Sequence, residues 1–455
     1  MAVTFSDAVS RRPMGMFQWV TVAVCMLVLV CDGVDMQLLG LVAPTIIEDW
    51  GIDRGSFGIA MSAALVGMAI GAWAGGWLGD RIGRRYSLAL AAVSFGLATI
   101  VASTAGNVWI MAFWRVLGGL GFGAAYSNAL AMGSEWLPEK WRPLAITTLS
   151  VGTPAGGSVA AALAPGLIAE HGWQGTFVIF GVATLLLLVL ILGVLRDSPS
   201  FLLGKGKVAA AQAAARNVLK EDVELRPEEQ GGAHGGTDGG KAIGVLHRSN
   251  LRLNVGVGIS FTALTMCAYG ILNWSTTLLT SVGFAFDQAS YAVSIAGMTS
   301  IAGAIGAGVL TRWLGSRKVM AGVCVTLIAT YAVLAVVLEA MPVAPDAAYR
   351  AMIVALIGLA AAIFSTGIAT TYVIIAMGYP LSCRSAGVGF GIFMSRVGAI
   401  AASGFGGALI EMGQGSTIPF FAVLGVSAAL VSTAVFVIDR HVPPAGAAGK
   451  LAEAT

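Results

Sequence analysis

Apolar stretches of about 20 residues recur along almost the whole chain, and a segment of that length crosses the hydrocarbon core of a bilayer. No open sheet can satisfy its backbone hydrogen bonds there, so we predict that the stretches are helices. Only 11% of the residues are charged, whereas soluble domains carry about a quarter. The candidate spans are centred near residues 30, 67, 95, 120, 155, 185, 265, 300, 328, 360, 397 and 427. The sequence therefore predicts an all-α membrane protein with twelve transmembrane helices.

One long polar stretch divides these spans into two sets of six. It lies between the sixth and seventh spans, and its EEQGGAHGGTDGGK portion is typical of a flexible linker. We predict a tail over 1–16, a six-helix bundle over 17–195, a central loop over 196–250, a second six-helix bundle over 251–439 and a tail over 440–455.

The charges of the loops predict the orientation, because cytoplasmic loops carry an excess of Lys and Arg. With the N-terminus inside, the outer connections hold mainly acids, and Arg54 and Arg350 are their only basic residues. The inner connections hold Arg81, Arg84, Arg85, Lys140, Arg142, Arg312, Arg317, Lys318 and Arg384. Both termini are therefore predicted to be cytoplasmic. No basic stripe lies beyond these loops, so the sequence indicates no nucleic-acid partner.

The two halves also resemble each other weakly. GDRIGRR after the second span has a counterpart in TRWLGSRK after the eighth, with Thr311 where the first copy has Asp80. Pro138 precedes Arg142 by four residues before the fifth span, and Pro380 precedes Arg384 in the same way before the eleventh. Internal duplication of this kind is typical of transporters.

The first copy carries a specific motif, GxxxDRxGRR. It consists of Gly76, Asp80, Arg81, Gly83, Arg84 and Arg85. This motif resembles the signature loop of the major facilitator superfamily, which implies two six-helix bundles that move between conformations. We expect Gly76 to let two helices approach closely, and Asp80 to face a helix N-terminus or an arginine in one conformation only. The resemblance also implies gating roles for Glu135 and Arg142, in the SEWLPEKWR element. The alternative is a basic loop that only sets topology.

The fourth span carries Arg115, Gly119, Gly121 and Gly123 in the RxxxGxGxG pattern of the same superfamily. An arginine inside a span is costly and normally faces a cavity or a partner. The glycines are expected at close helix contacts. The alternative for Arg115 is a side chain that reaches the outer surface.

Three further stretches resemble the aromatic acid:proton symporters of this superfamily. They are DGVDMQLLG in the first span, GILNWSTTLL in the seventh and CRSAGVGFGIFMSRVGAIAASG in the eleventh. Ser395 and Ser403 depart from the family's Gly and Pro in the last stretch, while Arg396 is retained. In the fifth span the chain has Thr153 and Pro154 where drug antiporters have Gly-Pro, which disfavours antiport.

Asp32 and Asp35 lie three residues apart in the first span and point to nearly the same face. Arg115 lies at a similar depth in the outer half of the membrane and is their most economical partner. Two carboxylates on one face repel, so one of them is expected to hold a proton. The four histidines, His171, His234, His247 and His441, all fall in loops or tails. We therefore assign proton coupling to Asp32, Asp35 and Arg115. The alternative is that Asp32 only packs against Arg115.

Arg396 lies close to the midplane of the eleventh span, and its planar guanidinium suits a carboxylate. We predict that Arg396 holds the substrate carboxylate while Trp274 and Tyr372 flank the ring. Further polar substrate contacts are assigned to Tyr126, Asn128 and Asn273. The alternatives are an interfacial role for Trp274, a core role for Tyr372 and interhelical hydrogen bonds for the other three.

The resemblance thus implies a proton-coupled importer of a small aromatic carboxylate, such as a hydroxybenzoate, in a bacterial inner membrane. Its predicted partners are this substrate, protons and the lipid bilayer, with a monomer as the working unit. We expect no cofactor, no metal and no enzymatic activity, because no cluster of His, Asp or Glu has the spacing of metal ligands near the spans. The alternatives are a symporter of a non-aromatic organic acid, an exporter of aromatic compounds and a non-transporting membrane sensor.

Overall fold

The structure is a computed structural model that describes residues 4–10, 13–138, 141–142, 145, 148–149, 151–219, 225–226, 245, 247–342, 345–379 and 383–444. Lys140, Pro380 and His234 lie outside these residues, as do much of the second half of the central loop and the end of the C-terminal tail.

The described residues form fourteen α-helices. In chain order they are α1 (Phe5–Ser10), α2 (Met16–Trp50), α3 (Arg54–Ile82), α4 (Arg84–Ala102), α5 (Val108–Glu135), α6 (Gly152–Val194), α7 (Pro199–Gly204), α8 (Val208–Leu219), α9 (Leu251–Ser281), α10 (Phe286–Leu314), α11 (Ser316–Glu339), α12 (Ala347–Gly378), α13 (Arg384–Met412) and α14 (Ile418–Val437).

Eleven of the described helices are long and apolar enough to cross a membrane. One of them, α6, has 43 residues and contains Gly172, whose φ of 66° and ψ of 178° are not helical. Each part of α6 on either side of Gly172 has about the 20 residues that one crossing needs. The fifth and sixth predicted spans are thus the two parts of α6, and the all-α, multi-pass prediction is confirmed.

The described residues pack as two compact units. The first comprises Met1–Leu38, Ala63–Ala160 and Gly166–Gly232, and the second comprises Leu39–Ser62, Ala161–Pro165 and Ala233–Thr455. The first unit holds most of the N-terminal spans, and the second holds all of the C-terminal ones. The limits predicted for the two six-helix bundles stay a prediction.

The duplicated loop is visible in the backbone. Gly83 lies between α3 and α4 with a φ of 103°, and Gly315 lies between α10 and α11 with a φ of 80°. Positive φ is strained for residues with a side chain and open to glycine. The weak sequence match between the halves therefore corresponds to one turn, used twice.

Glycines bring α2 and α6 into contact inside the first unit. A Cβ atom at Gly33 would lie 1.9 Å from the carbonyl oxygen of Thr153, and one at Gly156 would lie 1.9 Å from that of Val30. Neither position accepts a side chain without moving the facing backbone. This glycine seam sets the distance between the first span and the start of the fifth, and Gly33 belongs to the DGVD element.

The glycines of the fourth span serve a similar purpose. A Cβ atom would lie 2.2 Å from the carbonyl oxygen of Ala64 at Gly119 and 2.2 Å from that of Met68 at Gly123. Gly121 faces α4, where a Cβ atom would lie 2.8 Å from the Ala91 oxygen. The prediction that these glycines lie at close helix contacts is confirmed.

We predict that Gly33→Ala lowers the free energy of unfolding by about 1–3 kcal/mol, because the added methyl group overpacks the glycine seam. Thermal unfolding of the purified variant in detergent measures the effect. Gly193→Ala in α6 is the matched control, because a Cβ atom there would meet no described atom within 4 Å outside its own turn. Equal stability of the two variants would contradict the prediction.

Candidate functional site

Arg115 and Asp35 form a buried ion pair in the first unit. Arg115 Nη1 lies 2.5 Å from Asp35 Oδ2, and Nη2 donates to the backbone oxygen of Asp35 at 3.1 Å. Thr99 of α4 donates a further hydrogen bond to Asp35 Oδ1. The two charged side chains are each 3% exposed. The structure thus places Arg115 against Asp35, as one of the two pairings that the depths of the charges predicted.

Asp32 has different surroundings, although it lies one turn away on the same helix. Its side chain is fully buried, and its Oδ2 accepts a hydrogen bond from Thr153 Oγ1 of α6 at 3.2 Å. The glycine seam at Gly33 holds Thr153 there. The two aspartates thus differ in these contacts, since Asp35 pairs with a guanidinium and Asp32 accepts a hydrogen bond from a hydroxyl.

Arg84 is the centre of the predicted gating residues at the other end of these helices. Its Nη2 lies 2.5 Å from Asp80 Oδ1, and its Nε lies 3.2 Å from Glu135 Oε1. Its Nη1 also donates to the backbone oxygen of Gly76 and to Asn128 Oδ1. The C-terminal ends of α3 and α5 and the start of α4 are thus joined through one guanidinium, and Asp80 pairs with an arginine of the same motif.

Asp197, just after the sixth span, forms a hydrogen bond with the backbone of this loop. Its Oδ1 accepts a hydrogen bond from the backbone nitrogen of Arg85 at 3.0 Å. A Cβ atom at Gly83 would lie 2.6 Å from the same oxygen, so both the contact and the positive φ require glycine at 83. Burial raises the pKa of the Asp197 carboxyl, and the hydrogen bond and the charges of Arg85 and Lys207 oppose that shift.

The remaining inner residues make local contacts. Arg85 also donates to the Leu192 oxygen, the Arg81 guanidinium lies 3.9 Å from the centroid of the Trp77 ring, and Arg142 donates to the Leu137 oxygen. The gating roles of these residues stay predictions.

The close approach predicted for Gly76 is wrong. A Cβ atom at Gly76 would meet no described atom within 4 Å outside its own turn, whereas one at Gly75 would lie 2.3 Å from Ala124. Adjacent residues of a helix point about 100° apart, since a turn has about 3.6 residues. The contact with α5 therefore falls to Gly75, and Gly76 contributes its carbonyl oxygen to Arg84.

Asn128 is engaged by its own unit. Its amide nitrogen donates to the oxygens of Gly75, Ser87 and Ala124 at 2.8–2.9 Å, and its side chain is fully buried. Tyr126 is half-buried and packs against the core of the first unit. The substrate contacts of these two residues stay predictions.

Arg396 lies among aromatic side chains of the second unit. It stands twelve residues into α13, about 18 Å along the helix, and its Nη1 donates to the Tyr269 hydroxyl of α9 at 3.4 Å. Tyr372 of α12 lies within electrostatic reach of both Arg396 and Tyr269. The ring of Tyr372 packs edge-on against Phe261, with centroids 4.8 Å apart. Three helices thus place a guanidinium, two phenol groups and a phenyl ring together.

Asn273 and Trp274 meet α13 about two turns beyond Arg396. Asn273 Nδ2 donates to Ser403 Oγ at 2.8 Å, and Trp274 Nε1 donates to the Ser403 oxygen at 3.2 Å. The Trp274 side chain is fully buried, and Gly406 leaves room for its ring. Both residues join α9 to α13 here, and Ser403, where the family has proline, is their shared partner.

The sequence profile described as the Major Facilitator Superfamily matches residues 25–372, which is most of the chain. The chain belongs to the Major Facilitator Superfamily. A gallate transporter of Pseudomonas putida is 30% identical to it over 95% of this chain and 94% of that protein. A 4-hydroxybenzoate transporter of Acinetobacter baylyi is 28% identical over 94% of this chain and 93% of that protein.

Solved structures share the superfamily fold. The crystal structure of a D-xylose–proton symporter superposes with a TM-score of 0.69 at 16% identity, covering 94% of this chain and 98% of that one. The superfamily and aromatic-acid resemblances read from the motifs are confirmed, as is the prediction of a transporter and not an enzyme.

Sequence reasoning missed the partners of the charged residues. Thr153 was visible as a departure from the antiporter pattern, and Tyr269 lies four residues before Asn273 on the same helix face. Thr99 and Asp197 were not among the residues that the sequence predicted for the site.

We predict that Asp35→Asn lowers the free energy of unfolding of this superfamily member by about 3–5 kcal/mol, because Arg115 is then buried without its counter-charge. The double variant Asp35→Asn/Arg115→Met removes both charges and is expected to recover most of this loss. Thermal unfolding in detergent measures both. If the double variant is as unstable as the single one, the ion pair is not the source of the loss.

Proposed function

We propose that this protein imports a small aromatic carboxylate together with protons, by alternating access. The observation that carries the proposal is the group formed by Arg396, Tyr269 and Tyr372 within the second unit. The two relatives named above are transporters of gallate and 4-hydroxybenzoate, and they align over more than nine-tenths of the chain. Their names support the same class of substrate here.

The Arg396 group offers one partner for each part of such a substrate. A guanidinium can donate two parallel hydrogen bonds to a carboxylate, and aromatic side chains pack against a ring in edge-on or offset geometry. The Tyr269 hydroxyl accepts a hydrogen bond from the guanidinium and Tyr372 lies within its electrostatic reach, whereas Trp274 is buried against Ser403. We therefore propose that Tyr269 and Tyr372 contact the substrate ring, and Trp274 is the second candidate for this contact.

Asp32 is the proposed proton carrier. Asp35 is already engaged in an ion pair with Arg115, whereas Asp32 accepts a hydrogen bond from a neutral hydroxyl. A buried carboxyl group costs less neutral than charged, and the Arg115 guanidinium compensates the charge of Asp35, so we assign the proton to Asp32. The ion pair then serves as a fixed electrostatic neighbour.

The charges of the loops support a bacterial inner-membrane location with both termini in the cytoplasm. We further propose that the monomer is the working unit and that protons are the coupling ion, with no cofactor. The described residues contain no group of three or more potential metal ligands.

We predict that Asp32→Asn abolishes accumulation of labelled 4-hydroxybenzoate driven by an inwardly directed proton gradient, because the side chain can no longer gain and lose a proton. Uptake into proteoliposomes measures this, and substrate counterflow is expected to survive. Glu48→Gln, an exposed carboxylate of the same helix, is the matched control. Gradient-driven accumulation by Asp32→Asn at the parent level would refute the carrier assignment.

Arg396→Ala is expected to reduce the preference for a benzoate-type carboxylate over its neutral amide by about ten- to a hundredfold, the value of a hydrogen bond to a charged group. Binding of the two compounds to purified protein measures this preference. Arg396→Lys keeps the charge but loses the planar fork, so it should fall between the parent and the alanine variant. Unchanged discrimination in Arg396→Ala would remove Arg396 from the site.

A further inference from the structure

The proposed function assigns no role to Thr153, although Thr153 contacts Asp32. It stands in the first turn of α6, where drug antiporters have glycine, and its hydroxyl donates to Asp32 Oδ2 at 3.2 Å. The residue that departs from the antiporter pattern therefore donates a hydrogen bond to Asp32, the buried carboxyl group that we assign as the proton carrier.

The backbone around Thr153 is held closely. Gly33, next to Asp32, approaches the Thr153 carbonyl so tightly that a Cβ atom would lie 1.9 Å from it. One turn further along α6, Gly156 approaches the Val30 carbonyl in the same way. The two glycines come from opposite helices and flank the hydroxyl. The position of Thr153 Oγ1 relative to Asp32 is therefore set by backbone contacts rather than by a mobile side chain.

At this turn of α6, the Thr153 hydroxyl is a side-chain hydrogen-bond donor to Asp32. Pro154 has no backbone N–H, and a glycine at 153 would have no side chain. A hydroxyl group can both donate and accept a hydrogen bond. It can therefore donate to Asp32 when the carboxyl is ionised and accept from it when the carboxyl is protonated, and the bond to the ionised form is the stronger of the two.

We propose that Thr153 is a positioning residue for proton coupling, which stabilises the ionised form of Asp32 and so sets the pH at which Asp32 takes up its proton. The proposal rests on the proposed function. It also gives a chemical role to the DGVD glycine, because Gly33 is what allows the threonine backbone to reach Asp32.

Asp35, Cys31 and Arg115 are charged or titratable groups of the region around Asp32. Asp35 and Cys31 belong to its own helix, and Cys31 interacts electrostatically with both aspartates. Arg115 comes from α5 and pairs with Asp35. The facing turn of α6, residues 152–158, contains no titratable side chain. A substitution at Thr153 therefore changes the hydrogen bonding of Asp32 without removing a charge.

The test is the pH dependence of substrate uptake in proteoliposomes by the full chain and by Thr153→Val, Thr153→Ala and Thr153→Ser. Loss of the donor destabilises ionised Asp32, which then keeps its proton to higher pH. The pH midpoint of uptake is expected to rise by about one pH unit in the valine and alanine variants. Thr153→Ser keeps the hydroxyl and should have the midpoint of the parent.

A threonine that only fills space would lower the maximal rate of Thr153→Val and leave the pH midpoint unchanged, and that result would overturn the proposal. Infrared titration of the carboxyl band that Asp32→Asn removes gives a second measurement that needs no transport, and the band should titrate at higher pH in Thr153→Val. An unshifted band would also overturn it.

The Asp32→Asn variant distinguishes a failure of the proposed proton carrier from a failure of the proposed role of Thr153. If this variant still accumulates substrate in response to a proton gradient, the proposed carrier fails. If it loses that response while Thr153→Val keeps the parent midpoint, the carrier stands and the role of Thr153 fails.

Discussion

Removing a charged side chain from water costs several kcal/mol unless a well-placed partner compensates, and this cost organises the membrane-embedded polar groups of the protein. Arg115 and Asp35 compensate this cost for each other by forming an ion pair, and Thr99 donates a hydrogen bond to the other carboxylate oxygen of Asp35. Asp32, one turn away, accepts a hydrogen bond from the Thr153 hydroxyl. A single ion pair thus makes two neighbouring aspartates chemically different.

Close backbone contacts allow such pairs to form. Helices in lipid gain little from burying apolar side chains against each other, so small residues that let backbones approach become decisive. Gly33 and Gly156 bring α2 to α6, and Gly119 and Gly123 bring α5 to α3. The polar side chains meet where these glycines fix the distance between helices.

Under the proposed function, the proton and the substrate are bound by different compact units. The Asp32, Asp35 and Arg115 group belongs to the first unit, and the Arg396, Tyr269 and Tyr372 group belongs to the second. Each group combines a residue that the motifs indicate with a neutral partner from another helix. The arginines and aspartates supply charge, and the hydroxyl partners hold these charges in place.

The sequence by itself determined the helical class, the spans and the superfamily, because hydrocarbon admits only apolar segments with internally satisfied backbones. It also singled out the four membrane-embedded charges, which are conspicuous in an apolar chain. Only the tertiary structure decided that Arg115 pairs with Asp35, that Gly75 and not Gly76 meets α5, and that Thr153 and Tyr269 contact Asp32 and Arg396. These choices depend on the rotation of each helix about its axis. Hydropathy and spacing set the length and depth of a helix, whereas its rotation is set by which side chains of its neighbours it can accommodate.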